Sequence, residues 1–287
     1  MNFEKAANFI WNNGRLLERR IFEYIFQGGS KNNILNAIEA YQNDDGGFGN
    51  AIEPDLRTPD SQPLYMEFAL KTLYDCNIKD TEISQKACDY VSYHADLNTG
   101  IPTIYPLSVN YPRAQHWNNP LSIEPSFSRL TGLVGLLKWQ GIKHPWLDKA
   151  TEVCLNDISS KVYDDAHTIL TAFCLLESLP QTDYVKGLFD KLSKELFEAR
   201  FFQLDATSRS YGLSPLEFSP SPTSYCRSLF SNITVQDHLK VLEFQQDEDG
   251  GWQIEWEPPS EMAKLEWRAC KTLKSLMILN SYKMIKY

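Results

Sequence analysis

The chain has 287 residues, 43% of them hydrophobic and 13% aromatic, enough apolar material for a substantial core, as one large domain or two modest ones. No stretch approaches the roughly 20 continuous apolar residues of a membrane helix, and a net charge of -9 without a Lys/Arg run argues against binding nucleic acid. The N-terminus MNFEKAANFIWNNGRLLERR mixes charges through its apolar positions, unlike a secretory signal, so a cytoplasmic protein is expected.

Apolar residues at three- and four-residue spacing, broken at Gly, Pro and Asn clusters, predict twelve helices. In chain order they pair as 2–12 with 16–27, 31–42 with 61–76, 81–96 with 125–140, 146–160 with 164–179, 183–200 with 222–230, and 233–247 with 260–281. Short alternating runs of Val, Ile and Thr are missing, so little or no β structure is expected. The six cysteines stand singly, with no Cys-x-x-Cys pair, and are expected to be reduced and mostly in the core.

The chain also repeats itself. A shift of 204 positions lays Leu35, Glu39 and Gln42 on Leu239, Glu243 and Gln246, and continues through Asp45-Gly46-Gly47-Phe48 on Asp249-Gly250-Gly251-Trp252 and Glu53-Pro54 on Glu257-Pro258. After a four-residue deletion, Ala69 and Lys71-Thr72-Leu73 fall on Ala269 and Lys271-Thr272-Leu273. The repeating unit is therefore helix, glycine turn, loop, helix, and six such hairpins can close a ring. The expected architecture is all-α, an (α/α)6 toroid formed as a single domain over 1–287; an open helical solenoid is the competing arrangement. Links within pairs are mostly long, at 43–60, 97–124, 201–221 and 248–259, whereas links between pairs are short. In a ring of hairpins the long loops would gather at one end, the expected mouth of a central cavity.

Gln42-x-x-Asp45-Gly46-Gly47-Phe48 and Gln246-x-x-Asp249-Gly250-Gly251-Trp252 resemble the glutamine-tryptophan repeat of squalene and hopene cyclases and of protein prenyltransferase β subunits. The resemblance implies the toroid fold and, for function, a terpenoid-cyclase-like protein binding an isoprenoid or another largely apolar small molecule. The repeat residues themselves read as scaffold: glycine permits positive φ, the Asp can cap or turn, and the aromatic can pack on a neighbouring hairpin.

Class II cyclases open an inner helix with Asp-x-Asp-Asp, whose middle Asp protonates an alkene. Val162-Tyr163-Asp164-Asp165-Ala166-His167 is the nearest likeness, with Val162 in place of the first Asp. The resemblance therefore implies proton-initiated chemistry by Asp164, tuned by Asp165 and His167; alternatively Asp164 or Asp165 is the helix N-cap. Glu53, Asp55, Arg57 and Asp60 concentrate charge in a proline-stiffened loop at the expected mouth, a candidate for substrate binding, with a loop-tying Arg57 and a capping Asp60 as the structural alternative. His116 and Trp117, in the longest loop, are further substrate-binding candidates, since aromatic faces can stabilise carbocations, stack on sugars or simply pack.

Prenyltransferases hold zinc through Asp, Cys and His on inner helices. The last inner helix here reads Glu266-Trp267-Arg268-Ala269-Cys270 without a histidine, so no metal and no cofactor are expected. Two other functions stay open: a non-catalytic toroid binding a ligand or protein, and a carbohydrate-active enzyme with paired carboxylates.

Overall fold

The computed structural model describes residues 1–208 and 210–285. Among these the regular structure is twelve α-helices and four short 3-10 turns, with isolated bridges and no sheet. The helices are α1 (Phe3–Asn13), α2 (Leu16–Phe26), α3 (Lys31–Glu39), α4 (Pro63–Asp75), α5 (Thr81–His94), α6 (Phe127–Gln140), α7 (Pro145–Ser160), α8 (Ala166–Glu177), α9 (Asp183–Glu198), α10 (Pro215–Phe218), α11 (Asn232–Phe244) and α12 (Glu261–Ser281). No described helix is long and apolar enough to cross a membrane.

Local chemistry accounts for most of the boundaries. Asn2, Asp80, Ser126, Asp165, Ser231 and Ser260 each accept a first-turn amide with the side chain, and Pro63 and Pro145 open α4 and α7 where no amide donor is needed. Gly141, at φ 81°, ends α6 in the left-handed conformation.

One expected helix is corrected. Residues 222–230 hold only the 3-10 turn Arg227–Leu229, and the helical residues of this region lie earlier, in the single turn α10. Pro220 and Pro222 lack amide donors and push the residues before them towards extended backbone, while Ser224 Oγ accepts the Ser221 amide. The signal for α10 was present in Ser214-Pro215-Leu216-Glu217, a capping box in which Ser214 Oγ and Glu217 satisfy each other's backbone ends.

The chain divides into two compact units, Met1–Ala37 with Phe197–Tyr287, and Ile38–Leu196. In the second, α6 lies against α4, α7 and α8. Its sequence is apolar nearly all round, and residues Leu130 to Leu137 are buried without interruption. Gly135 lets α8 approach closely, since a Cβ there would stand 2.7 Å from the Leu175 nitrogen. In the first unit, α12 packs on α1 and α2.

The two repeat loops serve the same scaffold function in their respective units. Gln42 Nε2 donates to Gly46 O at 3.0 Å and to Ile83 O, at the start of α5, at 3.1 Å. Gln246 Nε2 donates to Gly250 O at 2.9 Å and to Asn2 O, at the start of α1, at 2.9 Å. Asp45 and Asp249 accept the amides of Gly47 and Gly251, and Phe48 and Trp252 are fully buried. The register is shared as well. Gly46 abuts Lys86 O and Gly47 abuts the Tyr90 ring; Gly250 abuts Lys5 O and Gly251 abuts the Phe9 ring. Each repeat glycine thus seats its loop on equivalent points of a neighbouring helix.

The second copy has an additional clamp. Arg268 of α12 donates through both terminal nitrogens to Asp249 at 2.8 Å, reaches Asp247 at 3.1 Å, and lies 4.6 Å from the centre of the Phe9 ring. The guanidinium is nearly fully buried, while the two carboxylates are partly exposed.

Candidate functional site

All nine candidate site residues fall in the unit Ile38–Leu196. The charged loop after the first repeat is not a solvated rim: Glu53 and Asp55 are 4% and 1% exposed. Glu53 Oε2 accepts the Asp55 amide at 3.0 Å, fixing the turn between them. Arg57 is half-buried, and its amide donates to Pro112 O at 3.0 Å. Asp60 is exposed and accepts from the Thr58 hydroxyl, a turn contact.

This loop is zipped to the longest loop of the chain. Ala114 N donates to Asp55 O at 2.8 Å, Leu56 and Arg113 form an antiparallel bridge, and the buried Tyr65 hydroxyl of α4 donates to Leu56 O. The pairing delivers His116 to Asp55, with Nε2 and Oδ2 3.6 Å apart. The Asp55 side chain is 2% exposed and that of His116 is 43% exposed, so the imidazole lies between solvent and a desolvated carboxylate. Burial also holds His116 below the usual imidazole range. Trp117 packs edge-on against it, ring centres 4.5 Å apart. The Trp117 indole N–H is buried with no acceptor among the described residues.

Two participants were not singled out from sequence. Arg129, in the first turn of α6, pairs with Glu67 of α4, and both side chains are largely covered. Burial pushes the Arg129 guanidinium down to about 10, against the upward pull of the Glu53 charge. Arg129 Nε is buried with no acceptor among the described residues. The signal for both residues was a lone charge inside an otherwise uncharged helical run: Phe127-Ser128-Arg129-Leu130 and Tyr65-Met66-Glu67-Phe68.

The third group lies at the start of α8. Asp165 is its N-cap, accepting the His167 amide at 2.9 Å and the Thr168 amide at 3.4 Å, with His167 Nδ1 3.3 Å from the same oxygen. Burial alone would raise the Asp165 carboxyl, but hydrogen bonds and charge from His167 and the backbone amides outweigh it and hold the group below the usual carboxylate range. Asp164 is exposed in the turn before the cap. The structure brings Asp55 to His116 and Asp165 to His167, as two acid–imidazole pairs on different elements.

The capping role of Asp165 gives a direct expectation. Replacing Asp165 by Ala should cost about 1 kcal/mol at pH 7 in chemical denaturation, the usual worth of an N-cap. Because the folded carboxyl is lowered, its contribution is present above the unfolded value and lost as pH falls through the folded one. The difference between wild type and Asp165→Ala should therefore shrink on acidification.

No group of three or more His, Cys, Asp or Glu side chains suited to a metal occurs among the described residues. In the other unit, a shallow open depression of about 650 Å³ is lined by Ser224, Tyr225, Arg227 and Tyr282 among others. Its guanidinium is committed to Phe230 O and Asn232 Oδ1.

No family model and no curated protein matches the chain. A crystal structure of a protein from Actinoplanes is similar in fold, with a TM-score of 0.57, 10% sequence identity and 97% of each chain covered.

Proposed function

We propose that the chain is a six-hairpin α/α toroid that takes up a polar, oxygen-rich small molecule at the loop-bearing end of its inner helices, with a carbohydrate as the leading class. The toroid is supported by the shared seating of the two repeat loops. The loop after α3 docks on α5, the first helix of the following hairpin; the loop after α11 docks in the same manner on α1. A last hairpin that treats the first as its successor is what a closed ring requires. The resemblance to the cyclase and prenyltransferase repeat points the same way.

The ligand reading rests on two buried donors that lack acceptors among the described residues, Arg129 Nε beside its pair with Glu67 and the indole N–H of Trp117 beside His116, in a site where Glu53 and Asp55 are also buried. Keeping such groups out of water costs several kcal/mol per ion unless hydrogen bonds offset it. A ligand bearing several hydroxyl or carbonyl oxygens supplies acceptors, whereas an isoprenoid chain supplies none. Acid-initiated cyclisation by Asp164, tuned by Asp165 and His167, has weaker geometric support, because Asp164 is exposed to solvent and Asp165 is committed to capping α8.

The test is a thermal-shift and native mass-spectrometry comparison of glucose, N-acetylglucosamine, maltose and cellobiose with farnesyl diphosphate and squalene. A sugar that raises the melting temperature in wild type and loses that effect in Glu67→Gln supports the reading. Stabilisation by squalene or farnesyl diphosphate alone returns the protein to the isoprenoid reading.

A further inference from the structure

The pairing of His116 with Asp55 goes beyond recognition. We infer that His116 is the proton acceptor of this site and that Asp55 is the residue that positions it. The inference rests on the polar-ligand reading for its substrate, but the geometry of the pair stands independently of it.

The arrangement is built rather than incidental. Asp55 is held through its main chain on both sides: its amide donates to Glu53 Oε2 at 3.0 Å and its carbonyl accepts from Ala114 at 2.8 Å. Arg57 N to Pro112 O, at 3.0 Å, fixes the register between the two loops one step further along. The segment carrying His116 is thus anchored two residues before the imidazole, and the ring covers a carboxylate otherwise sealed from water. Arg113, on the same segment, directs its guanidinium to the carbonyls of Val109 and Tyr111.

With Nε2 turned to Asp55, Nδ1 is the nitrogen left to meet a ligand. In the neutral ring Nε2 carries the proton and Nδ1 the lone pair. When a ligand hydroxyl or a water beside it approaches Nδ1, the O–H bond breaks, the N–H bond forms and the electron pair stays on oxygen. The imidazolium that results faces the Asp55 carboxylate, which stabilises it in a poorly hydrated setting. The 3.6 Å separation is longer than a hydrogen bond, and ligand-induced tightening of such pairs is common. Trp117 would donate its indole N–H to a second ligand oxygen, orienting the hydroxyl over Nδ1.

The experiment is long-range proton–nitrogen NMR of the full chain, with His116 assigned by comparison with His116→Gln. The expected spectrum at high pH shows Nε2 protonated and Nδ1 bare, and Asp55→Asn lowers the imidazole midpoint through loss of the facing charge. A neutral ring protonated at Nδ1, or a midpoint unmoved in Asp55→Asn, overturns the dyad. Where Asp55→Asn does not fold, the wild-type tautomer decides. A sugar that binds without perturbing the His116 nitrogens overturns this inference while leaving the polar-ligand reading intact; a correct tautomer with no sugar binding does the reverse.

Discussion

Replacing Arg268 by Ala should destabilise the unit containing both chain ends by about 3 kcal/mol, seen as a shift in the midpoint of chemical denaturation. Three contributions add. The charged hydrogen bonds to Asp249 and Asp247 are each of a kind worth roughly 1.5–3 kcal/mol, discounted here because both carboxylates are partly exposed and rehydrate when the guanidinium is gone. The guanidinium stacked on Phe9 adds about 1 kcal/mol, and the removed stem leaves a void beside α1. Arg268→Lys should recover only part of the loss, since an ammonium cannot make the two-nitrogen contact with Asp249.

The opposite truncation is the more instructive. Changing Asp247 and Asp249 together to Asn leaves a nearly buried guanidinium without its counter-charges, which should cost more than removing the Arg, about 3–5 kcal/mol. The wild-type clamp also has a defined pH window. Hydrogen bonding to Arg268 is the leading cause holding the Asp249 carboxyl below the usual range, so its stabilisation is present above the unfolded value and lost as pH falls through the folded one. Arg268→Ala should flatten that acid limb. An unchanged acid limb would mean that the clamp does not set it.

The second large effect belongs to the repeat glycines. Gly46 and Gly250 have φ of 86° and 94°, a region costing an L-residue roughly 1–2 kcal/mol. A Cβ would also stand 2.6 Å from Lys86 O in the first copy and 2.3 Å from Lys5 O in the second. Both obstacles are backbone, and overpacking of that kind typically costs about 1–3 kcal/mol. Gly46→Ala and Gly250→Ala should therefore each lose about 3 kcal/mol. For Gly250 the loss should come with detachment of the N-terminal helix, visible as faster amide hydrogen exchange across Phe3–Asn13. Gly250→Ala leaving exchange in α1 unchanged would count against that loop as the seat of α1.

These expectations separate what was legible in the sequence from what was not. Eleven of the twelve helices lie where periodicity, caps and prolines place them, because a helix end is fixed by its own few residues: Asp165 accepts amides two and three positions away, and Gly141 relieves only its own turn. The exception lies around Pro220 and Pro222, where the prolines override the apolar spacing and the helical turn sits earlier, at the Ser214–Glu217 capping box. The repeat was equally visible, because a loop that must seat two glycines against a neighbouring backbone tolerates few alternatives.

The candidate site was only half legible. Charge density marked Glu53, Asp55, Arg57 and Asp60 as one group, but nothing local separates the buried Glu53 and Asp55 from the exposed Asp60. That division depends on a second loop, some sixty residues away in sequence, laying its backbone along the first. The same pairing joins His116 to Asp55, and helix packing joins Arg129 to Glu67. The sequence alone determined eleven of the helices, the repeat and the chemical types available in the two long loops. Only the tertiary structure decided which charges lose their water and which partners they meet, because desolvation is set by neighbours distant in the chain and not by the residues alongside.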